Sequence, residues 1–310
     1  MSAALTATPR LLAAVAVAVA IAACAASSPS PSVPGEAGTS PDGSTPVPGP
    51  TGSVPPGPVA GSAGCAKPSA APGGQGRTLT VGGGSRSYSL FVPDDYAPTK
   101  AYSLVFAFHG DGGTGAALQR SMKLDAVSAG GALVVYPDGV GKTWNLDTAP
   151  EQNPDVALFD GLVAELEASY CVDTKRVFAT GYSRGGYFAN QLGCWRGAAL
   201  RAIASSGSGG PFGKQYDATG HLVCPQRGVP TIIFHGTNDS PSEGQKSLDH
   251  WAWANECPDK NKQTDTAPSP CKSVSGCAAS KPVVWCLIPG MGHQIWSESD
   301  AATWAFFAKL

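Results

Sequence analysis

Past residue 23 the sequence has no apolar run long enough to cross a bilayer, which excludes a membrane span from the rest of the chain. It has no basic stripe either. Its 21 Lys and Arg are interspersed among 23 Asp and Glu, for a net charge of −2. A surface that tracks nucleic-acid phosphates needs such a stripe, so no nucleic-acid partner is expected. The 9 cysteines include no C-x-x-C pair, and no histidine cluster lies near them. That argues against a zinc site, and no metal or cofactor is implied. From Ala25 to Gly64 charge itself is scarce, with only Glu36 and Asp42.

What this stretch does have is Ser, Pro, Gly, Thr and Ala, and 12 of the 27 prolines fall between Pro29 and Pro72. Such a segment cannot bury enough apolar surface to offset its ordering entropy, so 24–64 reads as an extended, disordered linker. Ahead of it, residues 11–23 are only Leu, Ala, Val and Ile, after the single cation Arg10. The run is too short for a span and has the form of a secretory signal core, which makes 1–23 a signal peptide. Ile21-Ala22-Ala23-Cys24 also has the small-residue pattern of a bacterial lipobox, with Cys24 as the lipidated residue. An ordinary signal cut nearby is the other reading. In either case the mature chain leaves the cytoplasm, secreted or anchored to the cell envelope, and meets a membrane only through Cys24.

Residues 65–310 remain as one domain, with no second linker. Setting Cys24 aside leaves an even number of cysteines in an oxidising compartment, which argues for disulfides without choosing their pairs. Arg77–Val81 and Arg86–Val92, around Gly82-Gly83-Gly84, read as a hairpin. Further strands are expected over Tyr102–Phe108, Ala132–Tyr136, Arg176–Thr180, Leu200–Ser205, Thr231–Phe234 and Val283–Ile288. Helical spacing is expected near Gly115–Ser128, over Val156–Tyr170, from Gly186 to Leu192, around Leu248, Trp251 and Trp253, and over Ala301–Lys309. This alternation predicts an α/β fold, a mostly parallel sheet with helices on both faces, whose functional groups lie at the carboxyl ends of the strands. Those ends carry His109-Gly110, Asp138, Ser183, Asp239 and His293.

Ser183 lies in Gly181-Tyr182-Ser183-Arg184-Gly185, the only strict G-x-S-x-G in the chain. An apolar strand precedes it and a helix follows, the setting that makes this pattern a nucleophile elbow. A Gly-rich turn that happens to hold a serine is the plainer alternative. A serine hydroxyl needs a base to take its proton and an acid to orient that base. In α/β-hydrolases the chain order is Ser, acid, His. Asp239, just past the strand Thr231–Phe234, is the expected acid, with Glu243 and Asp249 as alternatives nearer a helix. His293, in the turn Pro289-Gly290-Met291-Gly292-His293, is the expected base, because a base must reach the elbow from a loop. His250 is the alternative, within a helix. An oxyanion is expected to meet backbone N–H groups of Arg184 and of Asp111, with Gly112 as alternate.

On these motifs the domain resembles the secreted feruloyl esterases of the polyhydroxybutyrate-depolymerase-like group of carbohydrate esterases, which have the α/β-hydrolase fold. The resemblance spans Cys65 to Leu310. It is carried by Leu104–Gly113, Cys171-Val172-Asp173-Thr174 and Val177-Phe178-Ala179-Thr180-Gly181 with Ser183. Further on it rests on Cys194, His235-Gly236-Thr237 with Asp239, Gly276-Cys277, Trp285-Cys286, Gly292-His293 and Thr303-Trp304-Ala305-Phe306-Phe307. It implies a Ser183, Asp239 and His293 triad and a serine carboxylesterase acting on hydroxycinnamoyl esters of plant cell-wall polysaccharide, as a monomer. A polyhydroxyalkanoate depolymerase or an acetylxylan esterase is the alternative within the same chemistry. A non-catalytic, tethered surface-binding module is the alternative outside it. Arg184 after the nucleophile and Trp296 after the base depart from relatives. The resemblance suggests disulfides Cys65–Cys224, Cys171–Cys194, Cys257–Cys286 and Cys271–Cys277. Trp144 and Trp296, on turns at the site's edge, are candidates for substrate contact or for core packing.

Overall fold

Apolar side chains that alternate within each strand build two cores, one on each face of a 10-stranded sheet. The computed structural model describes residues 61–67, 73–226 and 228–310. The expected signal peptide, Cys24 and the linker up to residue 60 lie outside them. The sheet centre is six parallel strands in the order β4 (Ala132–Pro137), β3 (Tyr102–Phe108), β5 (Val172–Tyr182), β6 (Ala202–Ser206), β7 (Thr231–Gly236) and β10 (Val283–Ile288). The hairpin β1 (Gly74–Val81) and β2 (Gly84–Phe91) runs antiparallel along one edge. Along the other edge run β9 (Cys271–Val274) and β8 (Gln263–Asp265), also antiparallel. Periodicity did not reveal those two strands, which are only three and four residues long.

β3 shows how the two cores arise. Leu104, Phe106 and Phe108 face one core, and Val105 and Ala107 face the other. A strand covered on both faces therefore reads as an unbroken apolar run. The first core is closed by α3 (Pro154–Ser169), α4 (Arg184–Trp195) and α5 (Pro241–Ala254). The second is closed by α1 (Gly115–Ser121), α2 (Leu124–Val127) and α6 (Ser299–Ala308). This is the α/β arrangement the alternation predicts, and it agrees with the α/β-hydrolase fold the resemblance implies. The single helix expected over Gly115–Ser128 is two, because the Lys123 N–H donates to Asp300 Oδ2 at 2.6 Å instead of continuing the helical ladder. α3 begins where Asn153 Oδ1 accepts the Asp155 and Val156 N–H groups at 2.9 and 3.3 Å, ahead of Pro154.

Two expectations are corrected. Residues 61–64, assigned by composition to the linker, dock on the domain. The Ser62 N–H donates to Val172 O at 2.8 Å and the Gly64 N–H to Glu167 O at 2.7 Å. A Cβ at Gly64 would lie 2.3 Å from Tyr170 O, so glycine is required there by contact with the domain and not by linker character. None of the four suggested disulfide pairs forms. The bonds are Cys65–Cys171, Cys194–Cys224, Cys257–Cys277 and Cys271–Cys286. The docked segment brings Cys65 to the start of β5, with Cα atoms 3.9 Å apart, and so removes Cys171 from Cys194. Cys271 and Cys286 are direct cross-strand partners of β9 and β10, a register that spacing along the chain does not carry.

Candidate active site

Ser183 joins β5 to α4 with φ 54° and ψ −122°, angles a residue with a Cβ adopts only when its surroundings impose them. Its neighbours impose them. A Cβ at Gly181 would lie 2.2 Å from Gly185 O, and one at Gly185 2.1 Å from Phe108 O. Strand, turn and helix thus meet backbone to backbone, and the turn projects the Ser183 hydroxyl from the carboxyl end of the sheet.

Two other strand ends reach that hydroxyl. His293, past β10, places Nε2 2.8 Å from Ser183 Oγ, and its Nδ1 lies 2.8 Å from Asp239 Oδ2, past β7. With the Nδ1–H donating to the carboxylate, Nε2 is free to accept the serine proton. Asp239 Oδ1 accepts the Ser240 N–H at 2.8 Å. Burial opposes ionisation of Asp239, but the hydrogen bonds from His293 and from the Ser240 N–H outweigh it and hold its carboxyl below the ordinary value. Below this pair His235 is buried, with Nε2 3.5 Å from Asp239 Oδ2. Burial pushes the His235 imidazole down, so it stays neutral and leaves Asp239 to His293.

The acid and base loops are tied to each other. The Asn238 N–H donates to Met291 O at 2.9 Å, and the Gly290 N–H to Thr237 Oγ1 at 2.8 Å. The Tyr182 hydroxyl donates to His293 O at 2.8 Å. Gly207, at φ 58°, leaves room for the His293 ring, which a Cβ there would meet at 3.3 Å. Sequence reading missed Tyr182, Thr237 and Gly207 as supports, since only their contacts distinguish them from ordinary turn residues. The alternatives Glu243 and Asp249 are paired with Lys246 and Lys260, and His250 is buried in α5 against Trp251, apart from the Ser183 chain.

The turn after β3 lies against the elbow, where a Cβ at Gly110 would come 3.2 Å from Ser183 Cβ. The Gly112 N–H donates to Lys142 O at 2.8 Å, so Gly112 is corrected as an oxyanion donor because its proton is already engaged. The Asp111 N–H has no acceptor among the described residues. Arg184 opens α4, where a first-turn N–H has no intrahelical acceptor. The Asp111 and Arg184 N–H groups thus have no backbone acceptor among the described residues.

His109 and Asp138 are not drawn into the Ser183 chain. The buried His109 lies 2.8 Å from Gly110 O through Nδ1 and accepts the Gly139 N–H at Nε2, 3.0 Å away. Asp138 accepts from Ser87 Oγ and from the Gly115 N–H, both at 2.7 Å. Trp144 is corrected as a substrate residue. It is fully buried, stacked on Phe188 with ring centroids 5.2 Å apart, and its indole N–H donates to His109 O at 2.7 Å. Trp296 is half-buried near Phe234 in the second core. An open cavity of about 830 Å³ is lined by Arg184, the residue after Ser183 in the chain, with Tyr187, Phe212 and Glu243, and is within the usual range for a small-molecule site.

No protein-family model matches the sequence. Among curated proteins, the "Probable feruloyl esterase C" of Aspergillus clavatus is 32% identical over 242 residues, 72% of this chain and 83% of that one. "Feruloyl esterase D" of Neurospora crassa is 27% identical over 269 residues, 76% of this chain and 86% of that one. Among solved structures, an acetyl xylan esterase from Aspergillus awamori superposes with a TM-score of 0.54 at 18% identity, covering 71% of this chain and 94% of that one. A feruloyl esterase module from Clostridium thermocellum, complexed with sinapinate, gives 0.52 at 15% identity, over 76% and 89%. At these identities the structural likeness speaks for the α/β-hydrolase fold.

Proposed function

The chain belongs to the feruloyl esterases and is a carboxylic-ester hydrolase. On that premise we propose that it is an exported serine esterase that cleaves hydroxycinnamoyl esters of plant polysaccharide through Ser183, His293 and Asp239. The observation that carries this reading is the unbroken chain from Ser183 Oγ through the His293 ring to Asp239, with 2.8 Å at each link.

Ser183 Oγ attacks the ester carbonyl while His293 Nε2 takes its proton. Asp239 keeps the Nδ1–H tautomer and stabilises the imidazolium. The carbonyl oxygen gains charge, which the Arg184 and Asp111 N–H groups stabilise as preorganised donors. His293 returns the proton to the sugar oxygen as the carbon–oxygen bond breaks, leaving the acyl group on Ser183. Water then attacks, its proton passing to His293 and on to Ser183 Oγ as the acid leaves. The low proton affinity of Asp239 keeps it ionised throughout.

The purified domain, from residue 61 onward so that the docked segment is kept, should release ferulate from feruloylated xylan. Release of acetate alone from acetylated xylan, or of 3-hydroxybutyrate from polyhydroxybutyrate, would move the substrate to one of the other esters. A fluorophosphonate probe should label wild type and not Ser183→Ala. Absence of labelling would favour a non-catalytic binding module. Export is supported by the four disulfides, which persist in an oxidising compartment. Residues 1–23 act as the signal, and Cys24 carries a lipid at the end of the linker. A mass spectrum of the exported protein with an unmodified terminus elsewhere would overturn that anchor.

A further inference from the structure

We propose that the cavity lined by Arg184, the residue that follows Ser183 in the chain, is a carboxylate-binding subsite, in which the Arg184 guanidinium holds an anionic group of the ester being cleaved. The proposal rests on the esterase reading above.

Four ordinary charged side chains line this cavity: Arg184, Glu243, Lys246 and Asp249. Three of them are already neutralised. Lys246 pairs with Glu243, which also accepts the Tyr187 hydroxyl at 2.8 Å. Asp249 pairs with Lys260 and accepts from Gln245 at 2.9 Å. His250, on the same wall, is pushed down to about 4 by burial and so is uncharged near neutral pH. Arg184 alone has no acidic partner among the described residues, so one positive charge is left over.

That charge is also oriented. The Arg184 Nε–H donates to Trp144 O at 3.0 Å, on the buried turn that braces the loop after β3. One edge of the guanidinium is therefore fixed, while the Nη donors have no acceptor among the described residues. A planar, half-immobilised fork loses little entropy on binding a carboxylate through two parallel hydrogen bonds. Leu146, Phe212 and Leu222 line the same cavity, and apolar walls strengthen such a pair relative to open water. A surface arginine placed for solubility alone would need neither the anchor nor the walls.

The carboxylate can enter from either half of the ester. On the alcohol side it is a uronic acid residue of the polysaccharide, and on the acyl side a dicarboxylic half-ester. The test compares kcat/KM for two matched pairs on the whole protein. One pair is a feruloyl ester of a neutral sugar against the feruloyl ester of a uronic acid. The other is p-nitrophenyl butyrate against p-nitrophenyl hemisuccinate. Wild type should favour the charged member of at least one pair by about tenfold, mostly through KM, as one charge-assisted contact provides. The favoured pair identifies the side. Arg184→Gln should bring the ratio to about one, and Arg184→Lys should retain part of it. In wild type alone, about 0.5 M NaCl should reduce the preference by screening, a readout that needs no variant. Hydrolysis of both pairs with no preference, or a preference that survives Arg184→Gln, overturns the subsite and leaves the esterase reading standing. No hydrolysis of any of the four esters overturns both.

Discussion

The strand ends of β3 and β4 and those of β5, β7 and β10 carry the same kind of residue, a polar side chain on a tight turn, yet they do different work. At the first two ends His109 and Asp138 spend their hydrogen-bonding groups on the protein itself. At the other three, Ser183, Asp239 and His293 spend theirs on each other and leave the serine hydroxyl toward solvent. The first pair of ends is a brace, and it continues inward. Trp144 holds His109 O, and Asp155, paired with Arg86 at 2.6 Å, holds the Asn145 N–H at 2.7 Å. Position at a sheet end therefore marks a candidate, and the partners decide between chemistry and support.

The strongest way to break this division is to change activity and stability separately. Ser183→Ala or His293→Ala should lower kcat by about 10⁵-fold or more while leaving the melting transition nearly unchanged. If His250→Ala abolished turnover and His293→Ala did not, the base would be misassigned. Asp239→Asn should cost about 10³–10⁴-fold in kcat, because the amide holds the wrong tautomer of His293. The brace should respond the other way. Trp144→Phe leaves His109 O buried without its donor, which should cost about 1–3 kcal/mol by chemical denaturation, with turnover reduced far less than by Ser183→Ala. A Trp144→Phe protein of full stability and no activity would erase the distinction.

The smallest effect separates two histidines that look alike in sequence. His250 is buried against Trp251, with its proton affinity lowered from 6.5 to about 4. As pH falls through 6.5 the unfolded chain takes up a proton that the folded one refuses, so stability declines between pH 6.5 and 4 and is level above. In His250→Gln this part of the decline should vanish, a difference of roughly 1–3 kcal/mol between the two proteins accumulated from pH 6.5 down to 4. Equal slopes would show that His250 is not neutral when folded.

Much of the centre was legible. Strands buried on both faces must be apolar throughout, so β3, β4, β7 and β10 announced themselves. The elbow was legible because its glycines are a local steric need. β8 and β9 were not, since Gln263–Asp265 and Cys271–Val274 are only three and four residues long, too short to show a period. The disulfides failed with them. A pair such as Cys271 and Cys286 follows from register, and register is a property of two strands together. Trp144 was left open between substrate contact and core packing for a similar reason: an indole at a turn is the same sequence symbol whether it faces a ligand or donates to His109 O.

By itself the sequence determined the alternation of strand and helix and the elbow, because each depends on neighbouring residues or on period, and it offered Ser183, Asp239 and His293 as candidates with alternatives beside the last two. The tertiary structure decided what depends on distant groups meeting. It separated His293 from His250, engaged the Gly112 N–H with Lys142 O, drew residues 61–64 onto the domain and chose the cysteine partners. It also left Arg184 without a carboxylate partner among the described residues. The physical reason is the same throughout. A side chain's chemistry is set by what lies within about 3 Å of it, and in a sheet whose neighbouring strands are far apart in the chain, those groups come from elsewhere.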